Sequence, residues 1–416
     1  MPIRERLHDQ LDLVVVLGPV REDVIDALPD ALHRHLISDD GSELRRAYRP
    51  DRAWGHVSRR AADSLADDVL DVAVDGLEPA EMATHLLDAG YAVLPIRMLV
   101  SGGLIAVLVP HDLFDGASSG HHIRRVLAIA AGEPEGRTVR PPTRRPLAAT
   151  MRVAGLDRPG PLRLARAARR DAERQVPPDP QVPGGLAVDR ARRLRGFRTV
   201  QLDEQELRTL DARAVDGAGR RTTRGMKLSA AVLDAIADAV PPTTDFTIRM
   251  NVDLRRWAPR GERVQGPFST SYPIGRLRTM RRDAASVHEQ VRRAIETRAP
   301  LAALVGDVVG LVRDRVRHPF PIPSGDVIRT QFDVALSVFP SLIPDAVWRP
   351  GATPLLGTIL VHPGHVANPY VQMSLVGSEA SIALWDETGI IDQDRFEQSL
   401  RAAVTPAARV REEHHA

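Results

Sequence analysis

His111, Asp115 and Gly116 read as HxxxDG within VLVPHDLFDGAS, at the exit of the hydrophobic run Leu104 to Val109. A histidine where a strand leaves its sheet can project one ring nitrogen into a cleft while the backbone fixes the other. Neutral imidazole is abundant at pH 7, its unperturbed pKa being about 6.5, so this position suits a general base. Asp115, at the far end of the motif, can pair with an arginine and hold the turn. Gly116 removes a side chain where the backbone must bend or approach a substrate closely. A bare HxxxDG also fits a surface histidine in an ordinary turn, and its place after a strand is what gives it weight. The same segment holds a rival, because Gly116-Ala117-Ser118-Ser119-Gly120 satisfies GxSxG, the nucleophile elbow of α/β-hydrolases. An elbow needs its serine directly after the strand. Here HDLFD intervenes, which puts Ser118 in the first turn of a helix, where it serves free backbone N–H groups rather than attacking carbonyls.

The elements that must position these residues follow from apolar spacing. Leu13 to Leu17 reads as a strand, and Val24 to Leu36 turns to helical spacing after Gly18-Pro19. A helix is expected over Pro79 to Ala89, strands over Ala92 to Val100 and Leu104 to Val109, and a helix from Gly116 to about Gly132. From 132 to 185 the chain is rich in proline around one arginine-rich helical stretch, Leu162 to Gln175, and this is read as a crossover between an N-terminal half, 1–175, and a C-terminal half, 186–416. The second half restarts with a strand, Phe197 to Leu202, and helices through Val215 and over Leu228 to Ala239. A strand over Phe246 to Leu254, a loop holding GPFSTSYP and a helix over Asp283 to Arg298 come next. Four strands follow (Val334 to Val338, Leu356 to Val361, Tyr370 to Val376, Ser381 to Leu384), then a helix over Asp392 to Ala403. Strand and helix alternate in both halves, so the class is α/β, with mixed sheets because several strand pairs are joined too tightly for crossovers.

Composition removes several classes. The 416 residues contain no cysteine, which excludes disulfides, cysteine-ligated metal, iron–sulfur clusters and thiol nucleophiles, and fits a cytoplasmic protein. With 56 basic residues against 54 acidic there is no charge excess to drive duplex binding. No GxGxxG or GxxxxGK[ST] element points to a bound nucleotide cofactor. The most apolar run, Tyr91 to Pro110, is interrupted by Arg97 and Gly102-Gly103, so no membrane span is expected, and MPIRERLHDQLD lacks the apolar core of an export signal. His121-His122 and His362-Pro363-Gly364-His365 lack a third ligand and are not read as a metal site. Asp67-Asp68 reads as a solvated face. Arg163, Arg166, Arg169, Arg170 and Arg174 recur at helical spacing, which describes either a solvated face or a docking surface for an acidic carrier protein or the phosphates of coenzyme A.

VLVPHDLFDGAS, preceded by AVLPIRMLVSGGLIAVLV, resembles the active-site motif of the superfamily that includes chloramphenicol acetyltransferase, peptide-synthetase condensation domains and polyketide-associated acyltransferases. MKLSAAVLDAIADAV with FTIRMNVDLRR, VALSVFPSL, and NPYVQMSLVGSEASIALWDETGIIDQDRFEQSL are similar to that superfamily's later segments. The resemblance implies two chloramphenicol-acetyltransferase-like halves in a V, with a central tunnel that donor and acceptor enter from opposite faces. It maps the catalytic histidine onto His111, the aspartate onto Asp115 and the glycine onto Gly116. Many members read HHxxxDG, and here Pro110 takes the first position. The implied activity is transfer of an acyl group from a coenzyme A or carrier-protein thioester to a hydroxyl, or an amine, of a natural-product or lipid acceptor. His111 would act as base, with no bound cofactor and no covalent acyl-enzyme. Arg255 in NVDLRR is expected to pair with Asp115, and the Gly116 amide, Ser337 and Ser269-Thr270-Ser271 are the candidate oxyanion donors. The chain carries no carrier or adenylation domain and is expected to work as a stand-alone monomer. Two other readings remain: an esterase using Ser118, and a non-catalytic or repurposed module for binding or cyclisation.

Overall fold

In the computed structural model the described residues are 12–48, 54–72, 76–91, 93–133, 143, 145–174, 196–213, 223–264, 266–280, 284–317, 333–340, 343–361 and 369–405. The chain begins with β1 (Asp12–Gly18), α1 (Glu22–Asp26), α2 (Leu28–Ile37), β2 (Arg46–Tyr48), β3 (Trp54–His56), α3 (Arg59–Ser64), β4 (Leu70–Val72) and α4 (Pro79–Ala89). It continues through β5 (Arg97–Ser101), β6 (Leu104–Pro110), α5 (Gly116–Ala130), α6 (Pro146–Val153) and α7 (Pro159–Arg174). Then come β7 (Phe197–Leu202), α8 (Glu204–Arg213), α9 (Arg224–Ala239), β8 (Thr247–Asp253), β9 (Ser269–Arg276), α10 (Leu277–Met280), α11 (Ala284–Thr297) and α12 (Ala299–Arg317). The last elements are β10 (Asp333–Pro340), β11 (Leu355–Val361), β12 (Tyr370–Val376), β13 (Glu379–Trp385) and α13 (Gln393–Val404). Among the described residues no helix is long and apolar enough to cross a membrane.

The strands form two mixed sheets flanked by helices. One has the order β11-β1-β6-β5-β4 and the other β7-β13-β12-β10-β8-β9, with β2 and β3 pairing apart. In the first, β1 lies antiparallel between β6 and β11, so a strand from the late chain closes the sheet of the early chain. β1 and β6 read as unbroken apolar runs because both are covered on their two faces. In the second sheet β10 runs parallel to β8 and β12, and the hairpin β12–β13 leads back to β7. β11 also lies against that sheet: the Leu356 amide donates to Ser381 Oγ at 3.1 Å. α9 shows why the helices sit where they do. Thr223 caps its first turn, and Leu228, Ala231, Val232, Ala235 and Ile236 form one buried stripe, each of the larger side chains contributing about 1.5–3 kcal/mol.

Several expectations needed correction. The apolar spacing from Val24 to Leu36 is carried by two helices, α1 and α2, which meet at Ala27; Pro29, in the first turn of α2, has no N–H to continue α1. The strand expected from Ala92 begins at Arg97. The crossover holds α6 as well as α7. Ser269-Thr270-Ser271, expected in a loop, opens β9, whose alternation buries Thr270, Tyr272 and Ile274. Pro273 is tolerated because β9 is an edge strand and its pairing with β8 shifts register there. The helix expected to end at Arg298 is followed by a second one that was not expected, α12, and Arg298, with a positive φ of 58°, joins the two.

Candidate active site

β6 ends at Pro110, whose carbonyl accepts from the amides of Leu113 (3.1 Å) and Phe114 (3.0 Å). Leu113 and Phe114 are buried in the core that packs against β1 and β6, which anchors the turn and leaves His111 half-buried beside it. Asp115 then caps α5. Its Oδ1 accepts from the Ser118 amide at 2.9 Å, while the Asp115 amide donates back to Ser118 Oγ at 2.9 Å. The cap and the Ser119 amide's bond to the Asp115 carbonyl leave the first two helical amides, Gly116 and Ala117, unused among the described residues.

Asp115 is also where segments 140 residues apart in the chain meet. Arg255, in the turn after β8, donates Nη1 to Asp115 Oδ2 (2.9 Å) and Nη2 to Oδ1 (3.0 Å). The Phe268 amide donates to Oδ2 at 2.7 Å. Arg255 holds the same loop from its other side through the carbonyls of Val264 (3.3 Å) and Gly266 (2.5 Å). Burial by itself would push the Asp115 carboxyl up, but the Arg255 charge and these donors hold it well below the usual carboxylate range. Arg255 is correspondingly raised despite its own burial.

His111, Gly116 and Ala117 border a cavity of about 850 Å³, open solvent at its mouth included, that lies between the two sheets. Its strand residues come at i and i+2, which is one face of each strand: Leu13 and Val15, Asn251 and Asp253, Leu356 and Thr358, Tyr370 and Gln372. β1, β11, Ile123 and Ile343 make its apolar side, and β8, β9 and β12 its polar side. Of the candidate oxyanion residues, the structure brings Gly116 and Ser269 to this cavity; Thr270 and Ser271 do not line it, and Ser337 is a β10 residue paired in register with Gln372, the Ser337 side chain lying outside the described residues. Ser118 does not line it either. Its hydroxyl is spent inside the cap, donating to Asp115 Oδ1 at 2.9 Å, and the residue is 6% exposed, which is the wrong place for a nucleophile. Arg163, Arg166 and Arg170 are exposed along α7, Arg169 reaches Asp307 and Arg174 reaches Asp171. Among the described residues no group of three His, Cys, Asp or Glu side chains could hold a metal ion, and His362 and His365 lie outside them.

Sequence reasoning missed Gln372, whose signal was a lone amide inside the apolar strand YVQMSLV, and a buried chain behind α5. Glu43 Oε2 accepts from His122 Nε2 (2.9 Å), which leaves His122 Nδ1 to accept from His35 Nε2 (3.0 Å). Glu43 Oε1 takes the Gly266 amide at 2.9 Å, and Arg263 stands 3.5 Å from both Glu43 and His121. The loop that bonds Asp115 is therefore gripped twice, at Phe268 by Asp115 and at Gly266 by Glu43. Burial holds His122 below the ordinary imidazole range in spite of Glu43. It would push Glu43 up, but His122, Arg263 and the Gly266 amide hold that carboxyl below its usual range. Both groups bind protons more readily in the unfolded chain, so their stabilisation is present above about pH 6.5 and is lost as pH falls, through His122 first and Glu43 later. The urea midpoint is expected to drop between pH 7 and 5.5, and to drop less in His122→Asn. Equal slopes in the two proteins would show that His122 does not titrate with folding.

No family model and no curated protein matches this sequence. Solved structures do match. The TRI3 trichothecene 15-O-acetyltransferase from Fusarium sporotrichioides is similar with a TM-score of 0.63 at 12% identity, over 97% of this chain and 93% of that one. The first condensation domain of the CDA synthetase gives 0.57 at 15%, over 98% and 94%. The condensation domain of the Monacolin K polyketide synthase MokA gives 0.55 at 13%, over 96% and 93%. The chain has the fold shared by condensation domains and chloramphenicol acetyltransferase.

Proposed function

We propose that this chain of condensation-domain fold is an acyltransferase that moves an acyl group from a coenzyme A or carrier-protein thioester to a hydroxyl, or an amine, of a natural-product or lipid acceptor. The observation that carries the reading is one cavity bordered at once by His111, by Gly116 and Ala117 at the start of α5, and by a polar and an apolar wall. In the reaction, with Nδ1 buried, His111 Nε2 takes the acceptor proton as the acceptor oxygen attacks the thioester carbonyl carbon. The negative charge collects on the carbonyl oxygen, where the unused amides and the positive end of the helix favour it, with Ser269 and Ser337 as further candidate donors. The carbon–sulfur bond then breaks, and the imidazolium returns its proton to the thiolate. Asp115 and Arg255 touch no reacting atom in this scheme; they position the turn and α5. The exposed Arg163, Arg166 and Arg170 would meet the phosphates of coenzyme A or an acidic carrier protein. The similarity to a 15-O-acetyltransferase and to condensation domains supports acyl transfer, with an oxygen acceptor preferred. The proposal includes a monomer working in the cytoplasm.

Thiol release tests it cleanly, because a chain without cysteine adds no thiol of its own. Acetyl, octanoyl and palmitoyl thioesters of coenzyme A and of a carrier protein, each with and without a panel of alcohols and amines, are expected to give acceptor-dependent release and an acylated product. Release that ignores the acceptor, blocked by a fluorophosphonate bound to Ser118, would replace this reading with the esterase. No release anywhere in the panel would favour the binding or cyclising module.

A further inference from the structure

Asp253 closes β8 and borders the cavity, as does Ser269, which faces it in register across the ladder to β9. The Asp253 side chain is 46% exposed, so a ligand can reach it. Its Oδ1 accepts from the Arg255 amide and from Arg255 Nη1, both at 3.0 Å, and its Oδ2 meets no donor among the described residues. Capping the turn after β8 takes one oxygen, which asparagine or serine would supply as well, so the second oxygen and the charge are surplus to the fold. Arg255 does not cancel that charge. It also gives Nη1 and Nη2 to Asp115, so one guanidinium stands between two carboxylates, of which Asp115 is 1% exposed and Asp253 is open to the cavity. Among the described residues that line the cavity there is no other carboxylate and no arginine or lysine. The facing side is apolar through Leu13, Val15 and Leu356, which suits a ligand with a hydrocarbon body and a cationic end.

We infer that Asp253 binds an ammonium group of the acceptor, which makes the favoured acceptors amino alcohols with a hydrocarbon body, acylated on oxygen. The donor thioester brings phosphates, which a carboxylate repels, so the cation belongs to the acceptor. Nor is the ammonium the nucleophile, because it has no lone pair. The hydroxyl oxygen bonds the acyl carbon, its proton passes through His111 to the departing thiolate as the carbon–sulfur bond breaks, and the ammonium keeps its protons. This assignment rests on the acyltransferase reading but is tested apart from it, by binding. The probes are 1-octanol and octylamine, equal in length and, at pH 7, differing by one positive charge. Titrated calorimetrically into the whole protein at about 20 mM salt, octylammonium is expected to bind about tenfold more tightly, the scale of one charge-assisted hydrogen bond. Asp253→Asn keeps an oxygen for the Arg255 amide and removes the charge, and should bring the two probes within about threefold by weakening octylammonium. Salt repeats the test without a substitution: near about 0.5 M the wild-type preference should also shrink to about threefold, because the carboxylate is open to solvent. No preference in wild type, or a preference that survives in Asp253→Asn or at high salt, overturns the inference. Thiol release from the thioester panel is followed in parallel with 8-amino-1-octanol and 1-octanol. Octylammonium binding that depends on Asp253, with neither alcohol acylated by any thioester, sinks the acyltransferase reading alone; acylation of 1-octanol with no preference for octylammonium sinks the Asp253 assignment alone.

Discussion

Replacing His111 with alanine is expected to lower thioester-dependent transfer by about 10²- to 10⁴-fold in kcat, the range a positioned general base supplies, which corresponds to about 3–5 kcal/mol of transition-state stabilisation. KM should change little, because the cavity walls that would hold both substrates come from β1, β8, β11 and β12 and not from the imidazole. Folding should also be nearly untouched. His111 is half-buried and takes no part in the cap of α5 or in the Pro110 bonds that set the turn. His111→Gln keeps a hydrogen-bonding side chain of similar reach without a basic nitrogen, and should be as slow as the alanine variant. In His111→Ala, added imidazole should restore part of the rate with a pH dependence that follows the imidazole free base, since the space vacated adjoins an open cavity. Transfer by His111→Ala within about threefold of wild type would remove the base assignment.

That residue was legible because HxxxDG is contiguous, and a strand exit and a helix cap are both local events. The same holds for α4, where Glu78 and Glu81 close a capping box around Pro79 and the expected bounds, Pro79 to Ala89, are those found. The α/β class and its mixed sheets also followed from local spacing. What could not be read was which distant segments share a wall. Nothing in LLGTILV says that β11 pairs with β1 at the other end of the chain, yet that choice puts Leu356 and Thr358 on the cavity. The grip of Glu43 on His122, Arg263 and the Gly266 amide spans more than half of the chain and has no periodic signature. β9 was hidden by its own composition, since serines and Pro273 imitate a loop until an edge position and a register shift accommodate them.

The largest stability effect belongs to the Asp115–Arg255 pair, and its two ends should not be equivalent. Arg255→Met leaves a carboxylate that is 1% exposed with only the Phe268 and Ser118 donors to meet it. Asp115→Ala leaves a guanidinium that still has Asp253 Oδ1 at 3.0 Å, the Val264 and Gly266 carbonyls, and 19% exposure, but it also removes the cap of α5. Each single change is expected to cost about 3–5 kcal/mol of unfolding free energy, the usual result of stranding one partner of a buried pair. The double variant Asp115→Ala/Arg255→Met should cost less than the two singles combined, because it strands no charge. Urea midpoints for the four proteins give the coupling, and additive singles of under about 1 kcal/mol each would demote the pair to an exposed contact. The pH dependence separates the two ends further. In wild type the depressed Asp115 carboxyl adds stability that is present above its unfolded pKa of about 3.9 and is lost only as pH falls below it, so between pH 7 and 5 it contributes no slope. Without Arg255, burial governs and lifts the carboxyl above its unfolded value, so the folded variant binds the extra proton. Relative to wild type, Arg255→Met should therefore gain stability on acidification from pH 7 to 5, whereas Asp115→Ala, with no carboxyl to titrate, should run parallel to wild type over the same interval.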